Sequence, residues 1–234
     1  MNGLQAASIG VGDFFNRARR RLTLEVPLAL HDPAAEAKRG DLDLDPQLWE
    51  RAGTQPTLPA AVLIPVVARS EPQVLLTVRT ELRSHPGQIA FPGGKMDPND
   101  RSPAEAAMRE ASEEIGLARD LIEPIGYLDL YFTFSGYRIL PTVARVEPSY
   151  RLTVCEAEVA DAFEVPLAFL MDAQNHAIHS RDWKGMKRNY YAMPFGERYI
   201  WGVTAGIVRN LYDRVYGQND QVGNLFSSGG PKPG

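Results

Sequence analysis

The stretch Gly93–Leu117, GGKMDPNDRSPAEAAMREASEEIGL, decides the fold of this 234-residue chain. It joins a glycine-rich entry to a capped helix that sets three carboxylates on one face. Ser102 is a favoured N-cap, Pro103 stands where a missing N–H costs nothing, and Glu105, three residues past the cap, completes a capping box. Gly116 supplies the stop. Ala104, Ala107, Met108, Ala111 and Ile115 fall at the i, i+3, i+4, i+7 spacing, which predicts a small-residue face packed closely on a sheet. Glu110, Glu113 and Glu114 lie within about 100° of one another on the other side, at roughly 3.6 residues per turn. Like charges at these spacings destabilise an isolated helix by a few tenths of a kcal/mol per pair, and Arg109 offsets only part of that. The cluster asks for a cation. Hard divalent ions of the Mg²⁺ type prefer carboxylate oxygens and carry phosphate oxygens with them. Taken alone, an EE pair on a helix is most often a solvated face.

The run REASEEIGL, following GG and a helix start, resembles the Nudix box: a Gly, five residues, a Glu, seven residues, then Arg-Glu-aliphatic-X-Glu-Glu-X-Gly-aliphatic. Arg109, Glu110, Glu113, Glu114, Gly116 and Leu117 match it. Asp100 stands where the first Glu is expected, the spacer from it to Arg109 is eight residues, and Ala111 fills an aliphatic position. The resemblance implies an α/β (α+β) fold, a Nudix-type α-β-α sandwich with a mixed β-sheet. It also implies metal-dependent hydrolysis of a phosphoanhydride, with Mg²⁺ or Mn²⁺ as cofactor. Glu110 and Glu114 become the principal metal ligands, Glu113 a further ligand and catalytic group, Gly94 a neighbour of the backbone ligand at the entry, and Arg109 the clamp that orients a Glu. A general base or extra ligand often comes from a distant loop in this family. The acidic segment offers Glu156, Glu158, Asp161 and Glu164, and Glu158 is favoured because of its distance from the following VPL.

A second resemblance narrows the substrate. Residues 75–94, LLTVRTELRSHPGQIAFPGG, are similar to the signature that precedes the box in coenzyme A pyrophosphatases, with Arg83, Gly87 and Phe91–Gly94 at the expected mutual spacing. Thr80 replaces Ser or Ala, and the Arg79-to-Arg83 interval is one residue short. The later IWGVTAGIVRNL resembles that subfamily's last helix. The likeness implies cleavage of coenzyme A (CoA), or an oxidised or acylated relative, to 4′-phosphopantetheine and adenosine 3′,5′-bisphosphate. Arg79, Arg83, His85 and Lys95 would line the substrate side, where the CoA 3′-phosphate needs local cations. Alternatives are a Nudix hydrolase of ADP-ribose or a dinucleotide, and a non-catalytic Nudix-fold binding module. Family habit adds the expectation of a homodimer.

With 44% hydrophobic residues the chain can bury one sizeable core. Its formal charge of −4 exerts no long-range pull on nucleic acid or an anionic membrane, so neither is expected as a partner. One cysteine, Cys155, rules out an internal disulfide. No apolar run is long enough to span a membrane, and Glu25 and Pro27 interrupt the apolar stretch after RARRRL, so a cytoplasmic location is expected.

Three segments are expected: an N-terminal extension over residues 1–57, the catalytic domain over 58–216 and a disordered tail over 217–234. Val11–Leu22 reads as a short helix pairing Phe14 and Phe15 with a basic face in water, and His31–Thr57 as an extension wrapped over the domain. Ala60–Ala68, Gln73–Arg79, Glu123–Phe132 and Tyr137–Val146 read as strands. CEAEVADAFEV is taken as an acidic loop, followed by a helix from Pro166. Ala177–Ser180 and Asn189–Met193 form a further strand pair joined through RDWKGMKR, and Ile200–Tyr216 a closing amphipathic helix.

Overall fold

The computed structural model describes residues 9–32, 34–35, 39–48, 58–80, 87–183 and 185–217. Its centre is β2 (Leu58–Val67), a nearly continuous apolar run that side chains cover on both faces. One edge of β2 pairs in parallel with β8 (Tyr137–Val146), from Leu58↔Tyr137 to Val67↔Val146. The other edge is shared. The end of β2 pairs antiparallel with β3 (Gln73–Arg79), and its beginning pairs with β5 (Gly93–Lys95), through Ala61↔Gly94 and Val62↔Gly93. The entry glycines therefore lie inside the sheet. Gly93 adopts φ +154°, and a Cβ there would collide with the Ala61 carbonyl, so only glycine fits.

The mixed sheet is completed by β1 (Arg39–Gly40), β4 (Ile89–Ala90), β6 (Ile122–Tyr127), β7 (Tyr131–Phe132) and β9 (Val159–Pro166). Alternation along β2 divides the core in two. Ala61, Leu63 and Val67 meet Ala106, Ala107, Ala111 and Ile115 of α2 (Pro103–Ile115). Ala60, Ile64 and Val66 belong to the opposite layer, with Phe14 and Phe15 of α1 (Val11–Arg21) and Val208 and Leu211 of α4 (Val203–Tyr216). The result is the expected α-β-α sandwich with a mixed sheet. On the small-residue face of α2, Ala106 is fully buried and Met108 only partly so.

The basic face of α1 is tied to the domain. Arg17 pairs with Asp13 and lies over Tyr216, Arg19 pairs with Glu123 at 2.8 Å, and Arg21 donates to the Gly217 carbonyl at 2.7 Å. Among the described residues no helix is long and apolar enough to cross a membrane.

Several expectations are corrected. The acidic segment is a loop only as far as Glu158. Val159–Pro166 then forms β9, because its backbone pairs with β3 from Val159↔Arg79 to Pro166↔Gln73. The helix expected from Pro166 is the four-residue α3 (Leu167–Leu170). Residues 123–132 are two strands rather than one, with a register shift between Pro124 and Gly126. RDWKGMKR is not a linker, since β10 (Ala177–Trp183) and β11 (Met186–Phe195) run into it as a hairpin. The C-terminal helix starts at Val203; Ile200 and Trp201 lie in β12 (Arg198–Trp201), and Gly202 at φ +64° makes the break. Strands β10, β11 and β12 form a separate antiparallel sheet. Residues 218–234, including nearly all of the expected disordered tail, lie outside the described residues.

Candidate active site

Local chemistry fixes α2 before any tertiary contact. The Ser102 hydroxyl accepts from the Glu105 N–H at 3.1 Å, Pro103 follows, and Gly116 closes the helix in the left-handed conformation at φ +67°. Glu105 reaches back to the N–H of Arg101, one residue before the cap, at 2.9 Å. The helix thus presents Arg109, Glu110, Glu113 and Glu114 in fixed relation to β5.

Arg109 is the hub. Its Nε and Nη2 donate to the two oxygens of Asp100, each at 3.0 Å, a bidentate fork. Its Nη1 donates to Glu110 at 2.9 Å and to Glu113 at 3.0 Å, and its Nη2 also reaches the Lys95 carbonyl at 3.2 Å. The guanidinium beside Asp100 holds that carboxyl below the usual Asp range, and in return Asp100 holds Arg109 more firmly protonated. Asp100, noted in the sequence only as a substitution for the family's Glu, is therefore a working part of the constellation. Its carboxylate closes the clamp although its side chain is one methylene shorter and its spacer one residue longer.

Glu110 and Glu114 converge on the Gly93–Gly94 dipeptide. Gly93 N–H donates to Glu114 Oε2 at 3.2 Å. A Cβ on Gly94 would lie 2.6–2.8 Å from the carboxylate atoms of Glu110, so the glycine clears the space that this carboxylate fills. Glu114 is buried, and the Glu113 side chain is 60% exposed, so the two members of the EE pair have different surroundings. Among the described residues, no group of three or more His, Cys, Asp or Glu side chains encloses a metal site as the side chains stand. The side chains still suit a hard divalent cation, because two carboxylates, the donors such an ion prefers, meet at the glycine dipeptide.

The acidic loop is bonded to the end of the same helix. Thr153 N–H donates to the Ile115 carbonyl at 2.9 Å and Cys155 N–H to the Glu114 carbonyl at 2.8 Å. Glu158 follows in a turn closed by its own N–H on the Cys155 carbonyl, and its carbonyl accepts from Thr80 N–H at 3.1 Å. The remaining acidic residues of the segment have these surroundings. Glu164 pairs with Arg69 at 2.7 Å and hydrogen-bonds Tyr150, Asp161 pairs with Arg198 at 2.6 Å, and Glu156 is exposed. Cys155 itself is a free, half-buried thiol.

Of the expected substrate-side residues, Arg79 ends β3, where its N–H donates to the Gln88 carbonyl at 3.0 Å. Lys95 is exposed at the end of β5, its ammonium 5.9 Å from the centre of the Tyr137 ring. Arg83 and His85 lie outside the described residues.

Comparison with known proteins gives this geometry a family. Residues 57–184 match the NUDIX domain. An uncharacterized Nudix hydrolase NudL from Yersinia pestis (strain Pestoides F) is 40% identical over 159 residues, covering 67% of this chain and 79% of the relative. Its counterpart from Yersinia pseudotuberculosis serotype O:1b gives the same figures. Among solved structures, a Nudix hydrolase from M. smegmatis, RenU, is similar at 21% identity with a TM-score of 0.42, covering 48% of this chain and 73% of that one. The chain belongs to the Nudix hydrolase family, and it is an enzyme of that family acting on a nucleoside diphosphate derivative.

Proposed function

We propose that the protein hydrolyses the diphosphate of CoA, or of an acylated or oxidised relative, to 4′-phosphopantetheine and adenosine 3′,5′-bisphosphate. The observation that carries the hydrolytic part is the docking of Glu110 and Glu114 on one glycine dipeptide, with Arg109 and Asp100 bracing the first of them. Nudix enzymes generally use divalent metal ions. Here Glu110 and Glu114 would hold Mg²⁺ or Mn²⁺, with the Gly94 backbone and Glu113 assisting. Such an ion, when bound, neutralises phosphate oxygens and acidifies the attacking water. The chain's own contribution is preorganisation. Carboxylates on one rigid helix keep their spacing before substrate arrives, and Arg109 prevents Glu110 and Glu113 from swinging away. Glu158, half-buried beside the helix end, takes the proton of the attacking water as general base or supplies an extra ligand.

The choice of CoA is supported by the resemblance of residues 75–94. Arg79 and Lys95 flank the entry to the glycines and, with Arg83 and His85, would meet the 3′-phosphate. Arginine suits that role because its planar fork donates two bonds to one phosphate. The reading includes a cytoplasmic homodimer, which rests on family habit and is checked by the mass from light scattering at micromolar concentration.

The test is a Mg²⁺ and Mn²⁺ activity panel over CoA, acyl-CoA, ADP-ribose, NADH and dinucleoside polyphosphates, with products identified by mass. CoA should be cleaved at the diphosphate, and Glu114→Gln should lower kcat by a few orders of magnitude while the protein stays folded. Turnover of ADP-ribose in preference to CoA would move the assignment within the family. Near-native turnover by folded Glu114→Gln would remove the mechanism.

A further inference from the structure

The three-stranded sheet carries a set of adjoining rings that the hydrolytic site does not use. Register partners share a face and side chains alternate along a strand. The pairs His179↔Tyr190, Ala192↔Trp201 and Pro194↔Tyr199 therefore put His179, Tyr190, Tyr199 and Trp201 on one side. The pair Met193↔Ile200 points the other way and is fully buried. The ring centres of His179 and Tyr199 are 5.9 Å apart at 25°, those of Tyr199 and Trp201 6.4 Å apart at 31°, and Tyr190 meets Trp201 edge-on at 5.4 Å. A 2.6 Å hydrogen bond between His179 Nδ1 and the Tyr199 hydroxyl holds two of the tiles together.

This face is partly open, with Tyr190 and Trp201 half-buried, and it is locally cationic. Tyr199 is 38% exposed, His179 and Arg181 are exposed, and the Arg181 guanidinium lies 4.9 Å from the centre of the Trp201 ring. Opposite Arg181 in the register stands Arg188, whose charge Asp41 meets at 3.2 Å. Among the described residues no carboxylate pairs with Arg181. Large rings ordinarily face inward, and an exposed group of them marks a binding surface. Rings flanked by a guanidinium are matched by a ligand that offers a flat π-face and an anion together, which is the chemistry of a nucleotide.

The position agrees with that chemistry. Arg198, in the strand of Tyr199 and Trp201 but on its other face with Ile200, pairs with Asp161, whose register partner Val78 precedes Arg79, so the strand that carries two of the rings lies beside β3. The Thr204 hydroxyl donates to the Ile89 carbonyl at 2.8 Å, and a Cβ on Gly202 would lie 3.7 Å from Gln88 Nε2. Trp201 thus stands three residues before a direct hydrogen bond to the segment that leads into Gly93–Gly94.

We propose that this face seats the base of the substrate, adenine stacking on Tyr199 and Trp201 with the Arg181 guanidinium beside the rings, while the diphosphate reaches the carboxylates of α2. The identity of the base rests on the CoA reading above. Single-stranded nucleic acid would offer the same rings a partner, but the net charge of −4 gives it no broad attraction.

The test uses the full chain and the variants Tyr199→Ala, Trp201→Ala, Tyr199→Phe and Trp201→Phe, each checked for native melting. Calorimetry measures binding of adenosine 3′,5′-bisphosphate and, as a probe without a base, inorganic pyrophosphate; kinetics give KM and kcat on CoA. The alanine variants should weaken the bisphosphate by about fivefold or more, the scale of one lost base stack. They should leave pyrophosphate unchanged and raise KM with little effect on kcat. The phenylalanine variants keep a ring and should remain near wild type. Unchanged bisphosphate binding in the alanine variants would overturn the proposal. So would equal weakening of pyrophosphate, or loss of an oligothymidine ligand with bisphosphate binding intact. If the wild type does not hydrolyse CoA, AMP replaces the bisphosphate as probe. Ring-dependent AMP binding would then uphold the platform while the CoA reading falls, and ring-independent AMP binding would overturn the platform itself.

Discussion

Asp100 shows how one residue can depart from a pattern and keep its physics. A carboxylate one methylene shorter than the family's Glu, reached through a spacer one residue longer, still forms a two-bond fork with Arg109. Because Arg109 also holds Glu110 and Glu113, loss of Asp100 should loosen the cluster as well as the fold. Asp100→Asn should cost about 1–3 kcal/mol at neutral pH, the scale of hydrogen bonds to a charged group. The pH dependence has a definite sign. The Asp100 pKa is lowered in the fold from an ordinary 3.8, so its contribution is complete above that value and is lost as pH falls through the lower folded pKa. The gap between wild type and Asp100→Asn should therefore close below about pH 4 in denaturant titrations. Glu158 is tested by kinetics instead. Glu158→Gln should lower kcat with little change in KM. If Glu156→Gln carries the loss and Glu158→Gln is silent, the base has been misplaced by two residues.

At the scale of elements, α2 was legible because everything that specifies it is local: a cap, a proline, a small-residue face and a terminal glycine lie within sixteen residues of sequence. Ser102→Ala removes the hydroxyl that accepts from Glu105 and should cost about 1 kcal/mol, or about 2–4 °C in Tm for a chain of this size. No thermal shift would mean that the Arg101–Glu105 contacts hold the helix start without the cap. Strand β9 was illegible for the opposite reason. Its acidic side chains, Asp161 and Glu164, look like loop residues until Arg198 and Arg69 are brought to them from elsewhere in the fold. The same holds for β12, whose Ile200 and Trp201 continue the apolar period of the following helix. Only the positive φ of Gly202 separates strand from helix. At the site, the clustering of the three glutamates could be read from spacing and the clamp role of Arg109 only from the resemblance to the Nudix box, whereas the fork from Asp100 and the docking of Glu114 on the Gly93 N–H depend on how β5 enters the sheet.

At the scale of the whole molecule, the segment Arg39–Leu48 fastens the edge of the main sheet to the small sheet. Arg39 and Gly40 extend the main sheet beside Tyr131 and Phe132. Asp41 accepts from the Tyr131 hydroxyl at 3.1 Å and the Phe134 N–H at 2.9 Å, and pairs with Arg188 of β11; Asp45 accepts from the backbone and side chain of Asn189. Asp43 stands between them as a weak point. Burial pushes its pKa up from 3.8 to about 6, against the opposing pull of the Gly40 N–H and Arg39. A raised carboxylate pKa favours the neutral form in the fold, so this residue's contribution is greatest below 3.8 and is lost as pH rises through about 6. Asp43→Asn keeps an oxygen for the Gly40 N–H, which donates to Asp43 at 2.6 Å, and removes the charge. It should stabilise the protein by about 1–2 kcal/mol at pH 8, a shift of a few degrees in Tm, and make almost no difference at pH 4. Melting curves of both proteins from pH 4 to pH 8 decide the matter. A variant less stable than wild type at pH 8 would mean that the ion pair with Arg39, 3.9 Å away, outweighs the cost of burying the charge.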